Sequence, residues 1–558
     1  MANEKTKAEQ YREERKARIA ETAKKNAKNM EKSNAAKRIA SKVISIVLVA
    51  AIAIVAVGYC LSYYGVPERM LKIGGVGDAQ SISAAEYEFY YMSVYNDVCT
   101  MQQQYAQYGQ DLGFDTSLPV EEQTGTTQNE DGEEVSWQEF IHDRTLSQIQ
   151  IYKALYTEAV NAGLELDEAD KASIEKEIDE FREQADSNGY SLNAFLRKTY
   201  GNAVNKRLLK KELEIQVLAR KYYTTRSEEL AESYEQADID AIYNKDKDAY
   251  DLVSYRIYTF APATLEQGDD EDDATFEARE AKEKANTKAN ADAFYKAVTD
   301  EKTFLAKANE LNKDTEGYDA ATATKGAAVL KADISSNYSE DLANWLFNAS
   351  TKVGDKKIIS DTDTGTYYVA LLTEGKHQVN TVAVRHILFM TTDQSTGEAL
   401  SDEEIAAAKK NAEDALKSWQ DGDKTEDSFA AIANDLSEDT GSNTNGGLYD
   451  SVLPGQMVTE FDSWCFDSDR KPGDTEIVET DYGYHVMYFV GENGKYYDET
   501  IRAEKAAEDI ETESTEITEK AEYKVGVGPR RTEYAEKKVM KKIKRLLEIY
   551  NANSQYSY

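Results

Sequence analysis

Two histidines, each in a short apolar strand, are the side chains of this sequence best suited to shared hydrogen-bond or proton chemistry. His386 lies in the run 384–389, and His485 lies 99 positions later in the run 480–487. Only four of the 558 residues are histidines, so half of them fall in these two strands. Imidazole both donates and accepts hydrogen bonds near neutral pH, so these two side chains are candidate site residues.

Between the two strands, glycine turns are followed by large apolar side chains. Leu448 follows a double glycine, and Met457 and Phe461 follow a second turn at Gly455. One at a time, such residues are usually core. The chain has no zinc motif, nucleotide loop or Ser/His/Asp pattern, so no metal and no cofactor are expected.

In this order the motifs resemble the parvulin family of peptidyl-prolyl isomerases. The resemblance implies an enzyme that favours a twisted X–Pro amide, whose rotation is opposed by a barrier of about 18–20 kcal/mol. It assigns a hydrogen-bonded catalytic cluster to His386, Asp439, Thr480 and His485. Glu438 is the alternative to Asp439. It assigns substrate binding to Leu448, Met457, Phe461 and Tyr484.

The chain departs from the family at one turn. The usual Gly-Gly-Asp-Leu-Gly is replaced by Gly446-Gly447-Leu448-Tyr449-Asp450. The basic loop of phosphate-reading parvulins is also missing, because 391–394 reads Thr-Thr-Asp-Gln. We therefore expect an altered loop and no phosphorylated substrate.

An internal repeat precedes the parvulin-like segment. Trp345 and its neighbours match Trp464 and its neighbours at an offset of 119 positions, and the flanking strands match in the same order. Ile257 stands in place of His386, and Tyr368 stands in place of His485. The repeat predicts two copies of one domain, of which the first is degenerate and lacks the site.

An uncharged apolar run precedes everything else. Residues 43–61 would just cross a bilayer core of about 30 Å. Residues 1–42 carry 13 Lys/Arg against 6 Glu, and the positive-inside rule places them in the cytoplasm. The sequence predicts a single uncleaved anchor with the bulk of the chain outside the cell membrane. A cleaved signal peptide and a lipid-modified Cys60 are the alternatives.

Helical spacing dominates the rest of the chain. The stretch from 137 to about 226 resembles, in layout, the helical N-terminal chaperone domain of SurA- and PrsA-type foldases. The tail has a basic helical stretch that is expected either to complete this domain or to lie on the membrane. The predicted fold is α+β, with these parts: 1–42 basic cytoplasmic segment, 43–64 transmembrane anchor, 65–237 helical chaperone domain, 238–375 degenerate parvulin-like domain, 376–497 parvulin domain, 498–558 C-terminal helical tail.

Charge excludes one class of partner. The net charge is -37, whereas nucleic-acid binding requires a basic face. The expected partners are unfolded or newly secreted polypeptides with X–Pro segments, and the membrane through the anchor. The predicted function is an extracytoplasmic prolyl isomerase and chaperone for secreted proteins. A holdase that uses the parvulin copies as scaffold, and an adaptor in wall assembly, are the alternatives.

Overall fold

The computed structural model describes residues 64–554, apart from a few positions in loops. Residues outside the description are 1–63, 78–79, 130, 269–270, 316, 362–363, 394–395, 397–398 and 555–558. The predicted cytoplasmic segment 1–42 and all of the predicted anchor 43–64 except Tyr64 therefore lie outside the described residues. Within them, no helix is both long enough and apolar enough to cross a bilayer.

The described chain is a mixture of helices and antiparallel sheets. The helices are α1 (Val66–Met70), α2 (Ala84–Gln107), α3 (Trp137–Asn161), α4 (Glu168–Ser187), α5 (Leu192–Thr199), α6 (Lys206–Ser233), α7 (Gln236–Lys245), α8 (Asp273–Ala297), α9 (Glu301–Leu311), α10 (Ala320–Ala323), α11 (Lys331–Asn337), α12 (Glu340–Leu346), α13 (Asp402–Asp421), α14 (Glu426–Leu436), α15 (Thr459–Cys465), α16 (Tyr496–Glu519) and α17 (Pro529–Ser554). The strands are β1 (Lys72–Val76), β2 (Gln80–Ser83), β3 (Thr126–Gln128), β4 (Glu134–Ser136), β5 (Leu252–Phe260), β6 (Lys325–Leu330), β7 (Lys356–Asp361), β8 (Thr366–His377), β9 (Asn380–Met390), β10 (Leu448–Val452), β11 (Thr475–Thr480), β12 (Gly483–Lys495) and β13 (Val525–Val527).

The chain forms two compact units, and the first is built from both of its ends. It holds the residues up to Tyr222 and those from Ser514 onward. Strand β13 pairs with β1, which pairs with β2 in a three-stranded sheet. Helix α17 buries Val539 and Ile543 in the same core as α2. The part of the predicted tail from Ser514 onward thus packs within this unit, which is the first of the two placements expected for the basic helix.

Helix α2 begins with a capping box that the sequence predicts. The Ser83 hydroxyl accepts the Glu86 amide, and the Glu86 carboxylate accepts the Ser83 amide. Such reciprocal caps satisfy two backbone donors that the first helical turn leaves without partners. The helix then buries an aromatic face that includes Tyr87 and Tyr91.

The second unit, Tyr223–Glu513, contains both copies of the repeated domain. The second copy has a four-stranded antiparallel sheet in the order β10-β9-β12-β11. Helices α13 and α14 cover one face, where Ile387 and Val486 are buried. Helix α15 covers part of the other face with Phe461 and Trp464. Alternate residues of each strand therefore belong to two different cores.

The first copy has the same topology, with the strand order β6-β5-β8-β7. Its register also matches, because Thr259 pairs with Tyr368 as Leu388 pairs with His485. Ile257 and Tyr368 therefore occupy the sheet positions that the two histidines occupy in the second copy. The sheet tolerates apolar or aromatic residues there, so the histidines are not required for the fold.

Candidate active site

The two histidines lie side by side on the central strands of the second copy. His386 in β9 pairs with Met487 in β12, and His485 pairs with Leu388. This register places both imidazoles on the face that α15 covers, and both are buried. Their rings stack with centroids 5.3 Å apart, and their Nδ1 atoms lie 3.1 Å from each other. One of these nitrogens must donate to the other.

Asp439 decides which nitrogen of His386 carries the proton. Its Oδ2 lies 2.9 Å from His386 Nε2. The hydrogen bond from His386 holds the pKa of the Asp439 carboxyl well below its usual range, and further hydrogen bonds from the Ser442 hydroxyl and the Gly441 amide act in the same direction. The carboxylate is thus ionised at neutral pH and accepts the Nε2 proton. With Nε2 as the donor to Asp439, Nδ1 of His386 is the acceptor in the hydrogen bond between the two rings.

The same reasoning fixes His485. Burial, followed by the neighbouring His386, lowers the pKa of His485 to about 3, so the ring is neutral. Its Nδ1 donates to His386, and its Nε2 therefore accepts the Thr480 hydroxyl, 2.9 Å away. A single directed chain of hydrogen bonds runs from Thr480 through both imidazoles to Asp439. Every buried nitrogen in it has a partner, as buried polar groups require.

Aromatic rings enclose the imidazole pair. Phe461 meets His386 and His485 edge-on, with centroids 5.5 and 5.4 Å away. Tyr449 packs against His386 at 5.1 Å. The Met457 side chain is half-buried against the same core. Because Met457 and Tyr449 keep part of their surface in solvent, they form the accessible edge of an otherwise dry apolar site.

Two residues predicted to bind substrate lie elsewhere. Leu448 pairs with Arg385, and Tyr484 pairs with Phe389, so both face the α13 and α14 side of the sheet. Tyr484 donates its hydroxyl to Glu479 at 3.2 Å. These two assignments are corrected, because a strand alternates its side chains and the neighbour of a site residue points away from the site.

The sequence also left two contributors unassigned. Ser442 donates its hydroxyl to Asp439, and the Tyr449 hydroxyl lies 3.1 Å from the same Asp439 Oδ2. Burial, followed by the adjacent carboxylate, raises the pKa of Tyr449 to about 12, so its phenol remains a donor. Glu438, the alternative to Asp439, instead accepts the backbone amide of Met390.

The arrangement suits rotation about an amide better than bond cleavage. The chain of hydrogen bonds ends on a carboxylate, and the Thr480 hydroxyl that donates to His485 Nε2 is itself buried. The described residues contain no cluster able to hold a metal ion. Loss of amide resonance is favoured where a polar planar amide would be poorly solvated. A dry ring-lined pocket with a fixed tautomer provides such surroundings.

The first copy contacts the loop that carries Met457. Gly455 has φ +81, and a Cβ there would lie 2.6 Å from the Cβ of Ala327 in β6. The Gly455 amide also donates to Asp462 Oδ1 at 2.5 Å. The degenerate copy therefore packs closely against the entrance of the site in the other copy.

Replacing Gly455 with alanine should lower kcat/KM for an X–Pro peptide by about fivefold or more, or about 1 kcal/mol. The added methyl would displace the loop from Ala327 and move Met457. The matched control is Gly473→Ala, since Gly473 has φ +90 but nothing within 4 Å of an added Cβ. Both variants should lose about 1–2 kcal/mol of stability through backbone strain alone. Equal activity of the two variants would contradict a role for this contact.

Lowering the pH from 7 to 5 should destabilise this sheet through His485. Its pKa is lowered from 6.5 to about 3 in the folded chain, so between these values only the unfolded chain binds the proton. Stability therefore falls with pH, by about 2 kcal/mol at pH 5. Asp439 acts at lower pH, because its stabilising effect is present above the unfolded value of 3.8 and is lost as pH falls through its depressed folded pKa.

Amide hydrogen exchange of β9 and β12, corrected for intrinsic rates, measures this effect. His485→Asn serves as the reference, because it retains a polar side chain of similar position but removes the titrating imidazole. The difference between the two proteins should shrink as the pH falls below 6.5. An unchanged difference down to pH 5 would contradict the buried neutral imidazole.

Comparison with known families identifies the class of this domain. The sequence model described as Rotamase, PPIC-type PPIASE domain, matches residues 386–491. Residues 386–491 are thus a parvulin-type peptidyl-prolyl cis-trans isomerase domain. The match confirms the prediction made from the paired histidine strands.

Relatives of known type extend the similarity beyond this domain. The foldase protein PrsA 1 of Listeria monocytogenes serotype 4b is 27% identical over 41% of this chain and 70% of its own length. PrsA 1 of Listeria innocua is 28% identical over 38% of this chain and 63% of its own. The chain is similar to these PrsA foldases and contains a parvulin-type domain. The aligned parts span about two thirds of these two relatives.

Two solved structures are similar to parts of this chain. The crystal structure of PrsA from Bacillus subtilis covers 74% of this chain and 91% of that chain at 15% identity, with a TM-score of 0.22. The PPIase domain of TbPar42 covers 20% of this chain and 98% of that chain at 25% identity, with a TM-score of 0.16.

Proposed function

We propose that this protein is an extracytoplasmic, membrane-anchored prolyl isomerase and chaperone that assists secreted polypeptides after translocation. The isomerase site consists of His386, His485, Asp439 and Thr480, with Phe461, Met457, Tyr449 and Ser442 around them. The observation that carries the proposal is the directed hydrogen-bond chain from Thr480 to Asp439 beside an aromatic pocket. Its substrates are unfolded chains that contain X–Pro bonds.

The rest of the proposal concerns location and chaperone action. The anchor is the predicted span 43–64, with 1–42 in the cytoplasm. The relatives named above are foldases, which supports unfolded polypeptides as clients. The first unit, which combines the predicted domain 65–237 with the tail, is proposed as the chaperone domain of the SurA type. The first copy, with Ile257 and Tyr368 in place of histidines, is proposed as a scaffold without catalysis.

The test compares isomerisation with holdase action in one pair of proteins. The wild type and a triple variant with alanine at His386, Met457 and Phe461 are assayed on a proline-containing peptide and on aggregation of an unfolded client. We expect the triple variant to lose isomerisation and to keep part of the aggregation suppression. If the wild type isomerises the peptide no faster than the variant, the enzyme proposal fails and the holdase function remains.

A further inference from the structure

Helix α1 lies between two clefts of the first unit that are lined by lysine and arginine. Glu68 lines a cleft of about 430 Å³, and Arg69 and Met70 line another of about 890 Å³. The helix begins at Val66, two residues after Tyr64. We name six side chains of these clefts the basic collar: Lys72 and Arg207 in the larger cleft, and Arg197, Lys198, Lys541 and Arg545 in the smaller one.

Much of the collar's charge is not neutralised within the described chain. No carboxylate among the described residues lies within ion-pair distance of Lys72, Arg207, Lys541 or Arg545. This contrasts with the composition, since 103 acidic residues face 66 basic ones. Four unpaired cations gathered around one helix of so acidic a chain create a local field that attracts anions.

The acidic groups in the smaller cleft are already occupied. Glu68 is buried and accepts Lys538 at 3.1 Å. Glu88 is buried beside Lys542. Burial raises the pKa of Glu88 to about 7 and lowers that of Lys542 to about 8, and the attraction between the two groups opposes both shifts. The two carboxylates therefore lie against two lysines that are not part of the collar.

Of the collar cations in the smaller cleft, Arg197 lies over the Tyr64 ring and Lys198 donates to the Tyr190 hydroxyl. Lys541 and Arg545 have no carboxylate within ion-pair distance among the described residues.

Exposed apolar side chains accompany the collar. Tyr64, Met70 and Ile549 are 52%, 77% and 47% exposed, and Met70 and Ile549 line the two clefts. The Arg197 guanidinium lies 5.5 Å from the centroid of the Tyr64 ring. Aromatic and apolar groups interleaved with lysine and arginine are typical of surfaces that meet the headgroup region of a bilayer.

The position of the collar next to the predicted membrane span indicates which anion it would bind. Tyr64 is the last residue of the predicted membrane span, so the collar surrounds the point where the chain would leave the bilayer. We propose that the basic collar docks on anionic lipid headgroups and holds the first unit against the membrane. The inference rests on the membrane anchorage proposed above. The acidic remainder of the chain would be repelled from the same surface, so docking also orients the protein.

The test uses the full chain in nanodiscs of phosphatidylcholine, with or without phosphatidylglycerol. Amide hydrogen exchange is followed in α1 and α17. We expect slower exchange on the anionic nanodiscs only, and loss of this protection at high salt, which screens exposed charges. The double variant Lys541→Glu/Arg545→Glu should lose about tenfold or more of the protection, since each cation near an anionic surface contributes a several-fold preference.

A matched control changes the same charge elsewhere. Lys410 and Lys417 are exposed on α13 in the second unit, and Lys410→Glu/Lys417→Glu should leave the protection of α1 unchanged. Equal exchange on neutral and anionic nanodiscs would overturn the proposal. So would equal protection by soluble polyglutamate on neutral nanodiscs, which would make the collar a site for acidic polypeptides.

If the proposed function on which this inference rests were wrong, the same samples would give different results. A chain without an anchor would leave neutral nanodiscs at high salt, yet the collar still predicts salt-sensitive binding to anionic nanodiscs. A chain without isomerase activity would be inert on the proline peptide, with the lipid-dependent protection of α1 intact. The three results are therefore separable in one set of samples.

Discussion

Replacing Asp439 with alanine is expected to lower kcat/KM for an X–Pro peptide by about 10- to 100-fold. The Nε2 proton of buried His386 would lose its carboxylate acceptor and keep only the longer contact to the Ser442 hydroxyl at 3.2 Å. A buried donor that loses its partner costs about 1–3 kcal/mol. The imidazole would then be free to change tautomer, which would reverse or break the hydrogen bond to His485. A protease-coupled isomerisation assay measures the loss, and circular dichroism shows that the fold is retained.

The adjacent residue provides the control for this prediction. Glu438 is also a carboxylate, but it accepts the amide of Met390 and does not contact either imidazole in the described hydrogen bonds. Glu438→Ala should therefore retain most of the activity. A variant of Asp439 with full activity, or a Glu438 variant with the same loss, would refute the assignment of Asp439.

Replacing Phe461 with alanine is the second change with a large expected effect. The ring is buried and contacts both imidazoles edge-on, so its removal opens the site to water and leaves a cavity. Phe→Ala in a core costs about 3–5 kcal/mol of stability. We expect the isomerisation rate to fall more than tenfold. The pocket would no longer exclude water, and the edge-on contact that orients the two imidazole rings would be lost.

The repeat supplies a matched comparison for Phe461. Leu342 is the buried residue at the corresponding position of the first copy, and Leu342→Ala costs about 2–5 kcal/mol there. It should leave isomerisation nearly unchanged. If the Phe461 variant does not fold, Met457→Ala is the alternative test, because Met457 is only half-buried. This variant should raise KM. Activity lost equally in the first-copy variant would point to general destabilisation.

The sequence predicted the chemistry of the site better than its exact lining. The structure brings the histidine pair, Asp439 and Thr480 together. The histidines and Thr480 lie on strands with recognisable motifs, whereas Asp439 lies on a loop and was assigned by resemblance to the family. Their catalytic role stays a prediction. Leu448 was selected instead of Tyr449 because an edge strand with a bulge does not reveal its register in sequence. The assignment of Tyr484 to the substrate site could have been rejected from sequence, since adjacent residues of a strand face opposite sides and His485 is its neighbour. Ser442 carries no signal, because a loop serine is common and its role depends on the turn that places it.

The sequence predicted the mixed fold and the internal repeat, but not how the chain is divided into units. The shared landmarks around Trp345 and Trp464 indicated two related sheets. The boundaries differ from those expected at 237/238 and 497/498, because the compact units divide at Tyr222/Tyr223 and Glu513/Ser514. A sheet that joins β13 to β1 links distant segments whose short strands have no distinguishing pattern, and periodicity alone does not reveal such pairing.

The two-ended construction of the first unit has a consequence for the order of folding. Arg531 binds the carbonyl of Lys72 across 459 positions, and β13 closes the sheet that β1 begins. Contacts this distant in sequence form late, because the loop between them must first be closed. During synthesis both repeat copies emerge before β13, so they are able to fold while the first unit waits for its last strand.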